Sequence, residues 1–366
     1  MSWIKAWAVI TVSALFAIKG GDLLIGYLAP EAIFPIKNRG IARSIILKEN
    51  APNFKAKFIP TTAYLNQTDS LKKQPYIFET DANGFVKNGN NLNFIGENVK
   101  TIIFFGGSTT EQLFVPEKSR WQSIIERRLN KIQKSSKIRV LNGGVSGNTS
   151  MHSSLNFLAK GVPNNPKFVV LMHNINDYAQ LRLSGSYWEA PKDKAIVQNN
   201  DNYQKAFDLL RAVKDYTIPN IYQTYKIVRA KLSDSDDLRD IRREETKSLE
   251  LIEINFRNSL NAFIDLCISW GAEPILMTQF NRINHGDELF KRLYSDQDID
   301  AFIAGYKRLN DVVREISFDR KIDLIDLEKL VPGTREYIFD PVHLNENGSK
   351  LVADILTDYW IKKLGY

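Results

Sequence analysis

The chain is poor in the residues that staple small folds or hold metals. It has a single cysteine, Cys267, so no disulfide can close within it. That residue sits in the apolar run AFIDLCISW, the setting of a buried, inert thiol. There are four histidines, His152, His173, His285 and His343, and no two have metal-ligand spacing, so no metal is expected. The Gly-Lys-Ser/Thr of a P-loop and the dinucleotide fingerprint are both missing, and no cofactor is expected. Proline and glycine are not enriched, which argues against a long disordered tract. Zinc-finger spacing, dense Lys/Arg blocks and interleaved aromatic motifs are absent, so nucleic acid is not an expected partner. No internal repeat is present, and nothing in the sequence signals an oligomeric state.

What is present is the makeup of a globular chain of 366 residues, 43% hydrophobic, long enough for one large domain or two ordinary ones. The net charge of +7 suits an anionic surface such as a membrane or an acidic glycan. At the N-terminus, Ala6 to Ile18 carry no charge. That run is shorter than the ~20 residues of a membrane span. It matches a signal-peptide core, yet no small-x-small cleavage site follows. Continuing through Leu28 gives spanning length at the cost of Lys19 and Asp22, one able to snorkel and the other to sit at an interface. Residues 1–28 are therefore expected to be an uncleaved signal anchor or transmembrane segment, with the body of the chain membrane-anchored and extracytoplasmic. The alternative is an amphipathic or buried helix of a cytoplasmic protein.

Residues 29–97 read as an N-terminal extension. It is rich in turn signals, among them Asn83-Gly84 and Asn88-Gly89, with short hairpin strands between them. From about residue 98 the rhythm changes. Five short apolar runs, VKTIIFF, IRVL, FVVLM, PILM and IDLIDL, alternate with helical stretches such as Trp121–Ile132, Leu249–Trp270, Ile299–Ile316 and Ser349–Leu364. Apolar strands alternating with helices mean βαβ units. The expected fold is α/β, a three-layer α/β/α domain over 98–366 with a five-stranded parallel sheet. A helical insertion at about 181–247 interrupts it. The charged run SDSDDLRDIRREE in that insertion lacks the glycine and the spaced glutamate of a calcium loop and reads as a solvated helix.

In open parallel sheets ligands bind beyond the carboxyl ends of the strands. The segments found there are GGSTTE, NGGVSGNTS, HNINDY, TQFNR and, ahead of the last helix, FDPVHLNENG. Each has an ordinary reading. Ser108 with Glu111 is a capping-box pattern, Asn176-Asp177 a cap or Asx-turn, Asp340-Pro341 a turn start, and a lone histidine is more often structural. Together, and in this order, they point to one site.

The ordered set resembles the SGNH (GDSL-type) hydrolases, bacterial membrane-anchored or exported members in particular. Gly106-Gly107-Ser108 matches their first block, with Gly107 where the family usually has Asp. Gly147 falls on the second block, and Asn174-Ile175-Asn176-Asp177 on the third, with Asn174 replacing Gly. Asparagine tolerates left-handed backbone angles, which makes it a reasonable stand-in. Asp340-Pro-Val-His343 matches the fourth block completely. The resemblance implies a flavodoxin-like sheet and a serine esterase. Ser108 is then the nucleophile, His343 the base and Asp340 its orienting acid. The backbone N–H groups of Ser108 and Gly147 and the side chain of Asn176 form an oxyanion hole. Gly107, Thr109, His173 and Asp177 are further candidates for substrate contact. The chemistry suits the residue types, because a serine hydroxyl needs an adjacent base and an imidazole titrates near working pH. The substrate expected is an acylated small molecule or carbohydrate, with an O-acetyl ester of a cell-envelope carbohydrate as the leading case. The alternatives are an O-acyltransferase using the same site and a catalytically silent glycan-binding scaffold.

Overall fold

The computed structural model describes residue 3 and residues 46–89, 99–132, 137–190, 194–198 and 247–366. The chain divides into two units, Met1–Ile45 and Ile46–Tyr366. The expected anchor at 1–28 lies outside the described residues apart from Trp3. The same is true of most of the insertion, including its charged run and Tyr203, Tyr216, Tyr222 and Tyr225. Among the described residues no helix is long and apolar enough to cross a membrane.

In the second unit, β1 (Lys55–Phe58) and β2 (Tyr76–Glu79) form an antiparallel pair, with the short helix α1 (Thr62–Leu65) between them. The main sheet follows. Its strands are β3 (Val99–Gly106), β4 (Lys137–Gly144), β5 (Phe168–Met172), β6 (Glu273–Met277) and β7 (Asp323–Ile325). All pair in parallel, in the order β4-β3-β5-β6-β7. The first strand of the sheet thus lies between the second and third. A crevice opens where the winding reverses, at the carboxyl end of β3.

Alternation along β3 builds both cores. Ile103 and Phe105 face one side, with α6 (Leu249–Ser269) and α8 (Asp296–Arg320) packed over them through Phe263, Leu260, Val312 and Val313. Ile102 and Phe104 face the other, under α3 (Trp121–Ile132) and the last helix, Glu346–Leu364. Trp121 and Trp360 meet the Phe104 ring edge-on at 4.7 and 6.4 Å. This is a three-layer α/β/α fold, as expected.

Two local expectations need revision. Gly143 and Gly144, in the segment NGGVSGNTS expected beyond the strand, belong to β4 and pair with Phe105 and Gly106. Gly144 serves a close approach, since a Cβ there would lie 2.3 Å from the Glu111 amide. Asn174 has φ −163°, outside the left-handed region, so left-handed freedom is not what lets it stand where the family has glycine.

Candidate active site

β3 ends at Gly106, and Gly107 caps a one-turn helix, α2 (Ser108–Glu111). Ser108 is thus the first helical residue and not the cap. Its hydroxyl lies 2.7 Å from His343 Nε2. The capping-box reading of Ser108 and Glu111 therefore fails, because that hydroxyl is engaged elsewhere. The amide of Ser108 is among the first of a helix, which have no partner within it.

Asp340 and His343 come from a tight bend closed by the Ile338–Leu344 bridge. Asp340 Oδ1 accepts the backbone N–H groups of Val342 and His343 at 2.9 and 2.8 Å. These bonds explain the spacing: a carboxylate that gathers the amides two and three residues on brings its other oxygen under the ring. His343 Nδ1 lies 2.6 Å from that oxygen, Oδ2. The imidazole stacks on Phe339 at 5.7 Å with the rings 15° apart.

The electrostatics agree. Burial alone raises the pKa of Asp340, but the charge and hydrogen bond of His343 and the two backbone donors outweigh it, and the carboxyl ends below its usual range. For His343, burial lowers the pKa. The charge and hydrogen bond of Asp340, joined by Glu111, win, and the imidazole is held above its usual value. With Nδ1–H donating to a carboxylate, Nε2 is left to accept from Ser108.

Asn176, near the start of α5 (Ile175–Ser184), donates through Nδ2 to the Asn148 carbonyl at 2.8 Å. Its carboxamide lies against Gly107, where an added Cβ would be 2.4 Å from Nδ2. Gly147, next to Asn148 in the chain, has φ +73°, a conformation that favours glycine. Asn176, Gly107 and the loop after β4 therefore meet beside Ser108.

The remaining candidates lie one layer down. Thr109 is buried, and its hydroxyl accepts from Gln279 Nε2 at 2.7 Å. His173 is buried beside Ser153 at 2.8 Å, and burial pushes it down to about 3, so it stays neutral. Asp177, fully buried, accepts from the Ser150 amide at 3.0 Å and from the Tyr187 hydroxyl at 2.8 Å. It fastens α5 to α4 (Ser150–Asn156). His173 and Asp177 do not reach the pocket that opens at Ser108.

One residue of the site carries no sequence signal. Tyr64, on α1, donates its hydroxyl to Asp340 Oδ2 at 3.2 Å. It also lines the pocket shared by Ser108, Asn176, Asp340 and His343. Its segment, TTAYLNQ, looks like any short polar helix.

Comparison with known proteins places this geometry in context. A family model described as GDSL-like lipase/acylhydrolase matches residues 102–356. Among curated proteins none matches. Similar solved structures include a lipase/acylhydrolase from Enterococcus faecalis, 16% identical with a TM-score of 0.42, covering 72% of this chain and 96% of that one. They include LAE5, an alpha/beta hydrolase from the metagenome of Lake Arreo, Spain, 14% identical with a TM-score of 0.41, covering 71% and 94%. They also include Axe2, an acetylxylan esterase from Geobacillus stearothermophilus, 15% identical with a TM-score of 0.41, covering 73% and 94%. The family model spans well over half of the chain, from the first sheet strand into the last helix. On that ground the chain belongs to the GDSL-like lipases and acylhydrolases, hydrolases of carboxylic esters.

Proposed function

We propose that the chain is a serine esterase in which Ser108, His343 and Asp340 act as a triad. One observation carries the reading: Ser108 Oγ, the imidazole and the Asp340 carboxylate stand in line at 2.7 and 2.6 Å. Ser108 attacks the ester carbonyl while His343 Nε2 takes its proton. The oxyanion that forms is met by the amides of Ser108 and Gly147 and by Asn176 Nδ2. The imidazolium, steadied by Asp340, then protonates the leaving alkoxide as the C–O bond breaks. An acyl-serine remains. His343 next takes a proton from water, the resulting hydroxide attacks the acyl carbon, and the carboxylic acid leaves as Ser108 recovers its proton.

The substrate is an O-acyl ester, with a cell-envelope carbohydrate proposed as its alcohol part, in keeping with the net charge of +7. Residues 1–28 are proposed to anchor the chain with the hydrolase domain outside the cytoplasm. The uncharged run Ala6–Ile18 supports this, and protease access in intact and lysed cells tests it.

The test of the site is covalent labelling by a fluorophosphonate together with turnover of a chromogenic ester. Wild type should show both and Ser108→Ala neither. A variant that labels and turns over like wild type refutes the triad.

A further inference from the structure

The pocket beside Ser108 is large for an acetyl group and of the wrong chemistry for a sugar. It measures about 230 Å³, and its walls include Ile175, Ile283, Phe290, Leu293, Tyr294 and Val342. These walls are braced. Phe290 is fully buried in α7 (Glu288–Leu293). The ring of Tyr294 packs on Phe290 at 5.7 Å and on Phe302 at 5.8 Å. The space is therefore present before any ligand arrives.

The one acidic group on the lining, Asp340, is engaged by His343 and Tyr64. Beyond the proposed triad the polar groups of the lining are those of Tyr64, Gln67, Asn176 and Tyr294, and a sugar ring seated here would still leave many of its hydroxyls facing hydrocarbon, which costs more than it returns. An acetyl group would leave most of the volume empty. A second recess, also lined by Tyr64, Ser108 and His343, measures only about 30 Å³ and is unable to take a chain.

We infer that the larger pocket is an acyl-chain subsite and that the preferred substrates are esters of an apolar acyl group of about six to eight carbons. The inference rests on the reading of Ser108 as nucleophile. The length follows from the volume, since a water-sized group occupies about 30 Å³ of liquid and a methylene is of similar size. Each methylene seated in the pocket raises kcat/KM by about fourfold until the space is full.

The test is kcat/KM of the full chain for p-nitrophenyl esters from acetate to dodecanoate, repeated with Leu293→Trp and Ile283→Phe, each of which enlarges a lining residue. The expected result is a rise to hexanoate or octanoate with no further gain beyond, since the pocket opens to solvent. The octanoate-to-acetate ratio should drop at least about tenfold in either variant, by the same per-methylene factor. Acetate as the best substrate, a flat profile, or an unchanged ratio in both variants would overturn the subsite while Ser108 still labels with fluorophosphonate. If no ester is turned over and Ser108 is not labelled, the nucleophile assignment fails and the subsite with it.

Discussion

The phenol of Tyr64 and the imidazole of His343 share one oxygen: Asp340 Oδ2 receives the Tyr64 hydroxyl at 3.2 Å and His343 Nδ1 at 2.6 Å. Burial, with the charge of Asp340 behind it, pushes the Tyr64 pKa up, so the phenol remains a donor at working pH. Removing that donor while keeping the ring isolates its effect. Tyr64→Phe should lower kcat by up to about tenfold, in line with the roughly 0.5–1.5 kcal/mol net worth of one hydrogen bond. With one donor fewer, the carboxylate holds the imidazolium more tightly, so the acid limb of the pH profile should move to higher pH. A role in packing alone would move kcat without moving the limb.

The pH profile itself follows from the pair. The base is the neutral imidazole, so activity is lost as pH falls through the His343 pKa. Because Asp340 holds that pKa above the usual 6.5, the acid limb of kcat/KM should lie above 6.5. Asp340→Asn should move the limb down and lower kcat by about 10⁴-fold, the scale seen when a triad acid is neutralised. A limb below that of free imidazole in the wild type would contradict the geometry.

Much of this architecture is legible in the sequence because its signals are local. VKTIIFF is apolar on both faces, so it reads as a strand covered on both sides, and it is one. Trp121–Ile132 shows helical periodicity and is a helix over those residues. The Asp340–His343 spacing is likewise local, set by one carboxylate gathering two nearby amides. What is not legible is tertiary choice. Ser108 has a plausible capping partner nearby in the chain, yet its hydroxyl goes to His343 and that of Thr109 to Gln279, while Asp177 reaches Ser150 as well as its own neighbourhood. Tyr64 meets Asp340 across 276 positions, a pairing no periodicity encodes.

Asn176 provides a test of the oxyanion hole that leaves the triad intact. Its carboxamide is a neutral donor that titration cannot remove. Asn176→Ala should lower kcat by about 10²–10³-fold with little change in KM, as for loss of one preorganised donor. Fluorophosphonate labelling should slow in parallel, because phosphonylation builds a similar oxyanion. Unimpaired kcat would assign Asn176 to structure alone, through its bond to the Asn148 carbonyl.

The last prediction concerns how the triad loop is held. Arg282 is 4% exposed and reaches three parts of the chain. It donates to both oxygens of Asp69 at 2.9 and 2.8 Å, to Asp287 at 2.7 Å and to the Ile338 carbonyl at 2.9 Å. Ile338 opens the bend that carries Asp340 and His343, and the Asp69 amide donates to Phe339 in the same bend at 3.1 Å. Arg282→Ala removes the cation of Asp287 and leaves Asp69 only Arg335 at 3.9 Å, a loss of up to about 3 kcal/mol. Arg282→Lys restores charge but not the planar fork and should recover only part of it. The exposed pair Lys307–Asp311 is the contrast: Lys307→Ala should change stability by less than about 1 kcal/mol. Urea unfolding measures all three variants. If Arg282→Ala unfolds at the wild-type midpoint, the bend is held by its own backbone bonds and Arg282 is dispensable to it.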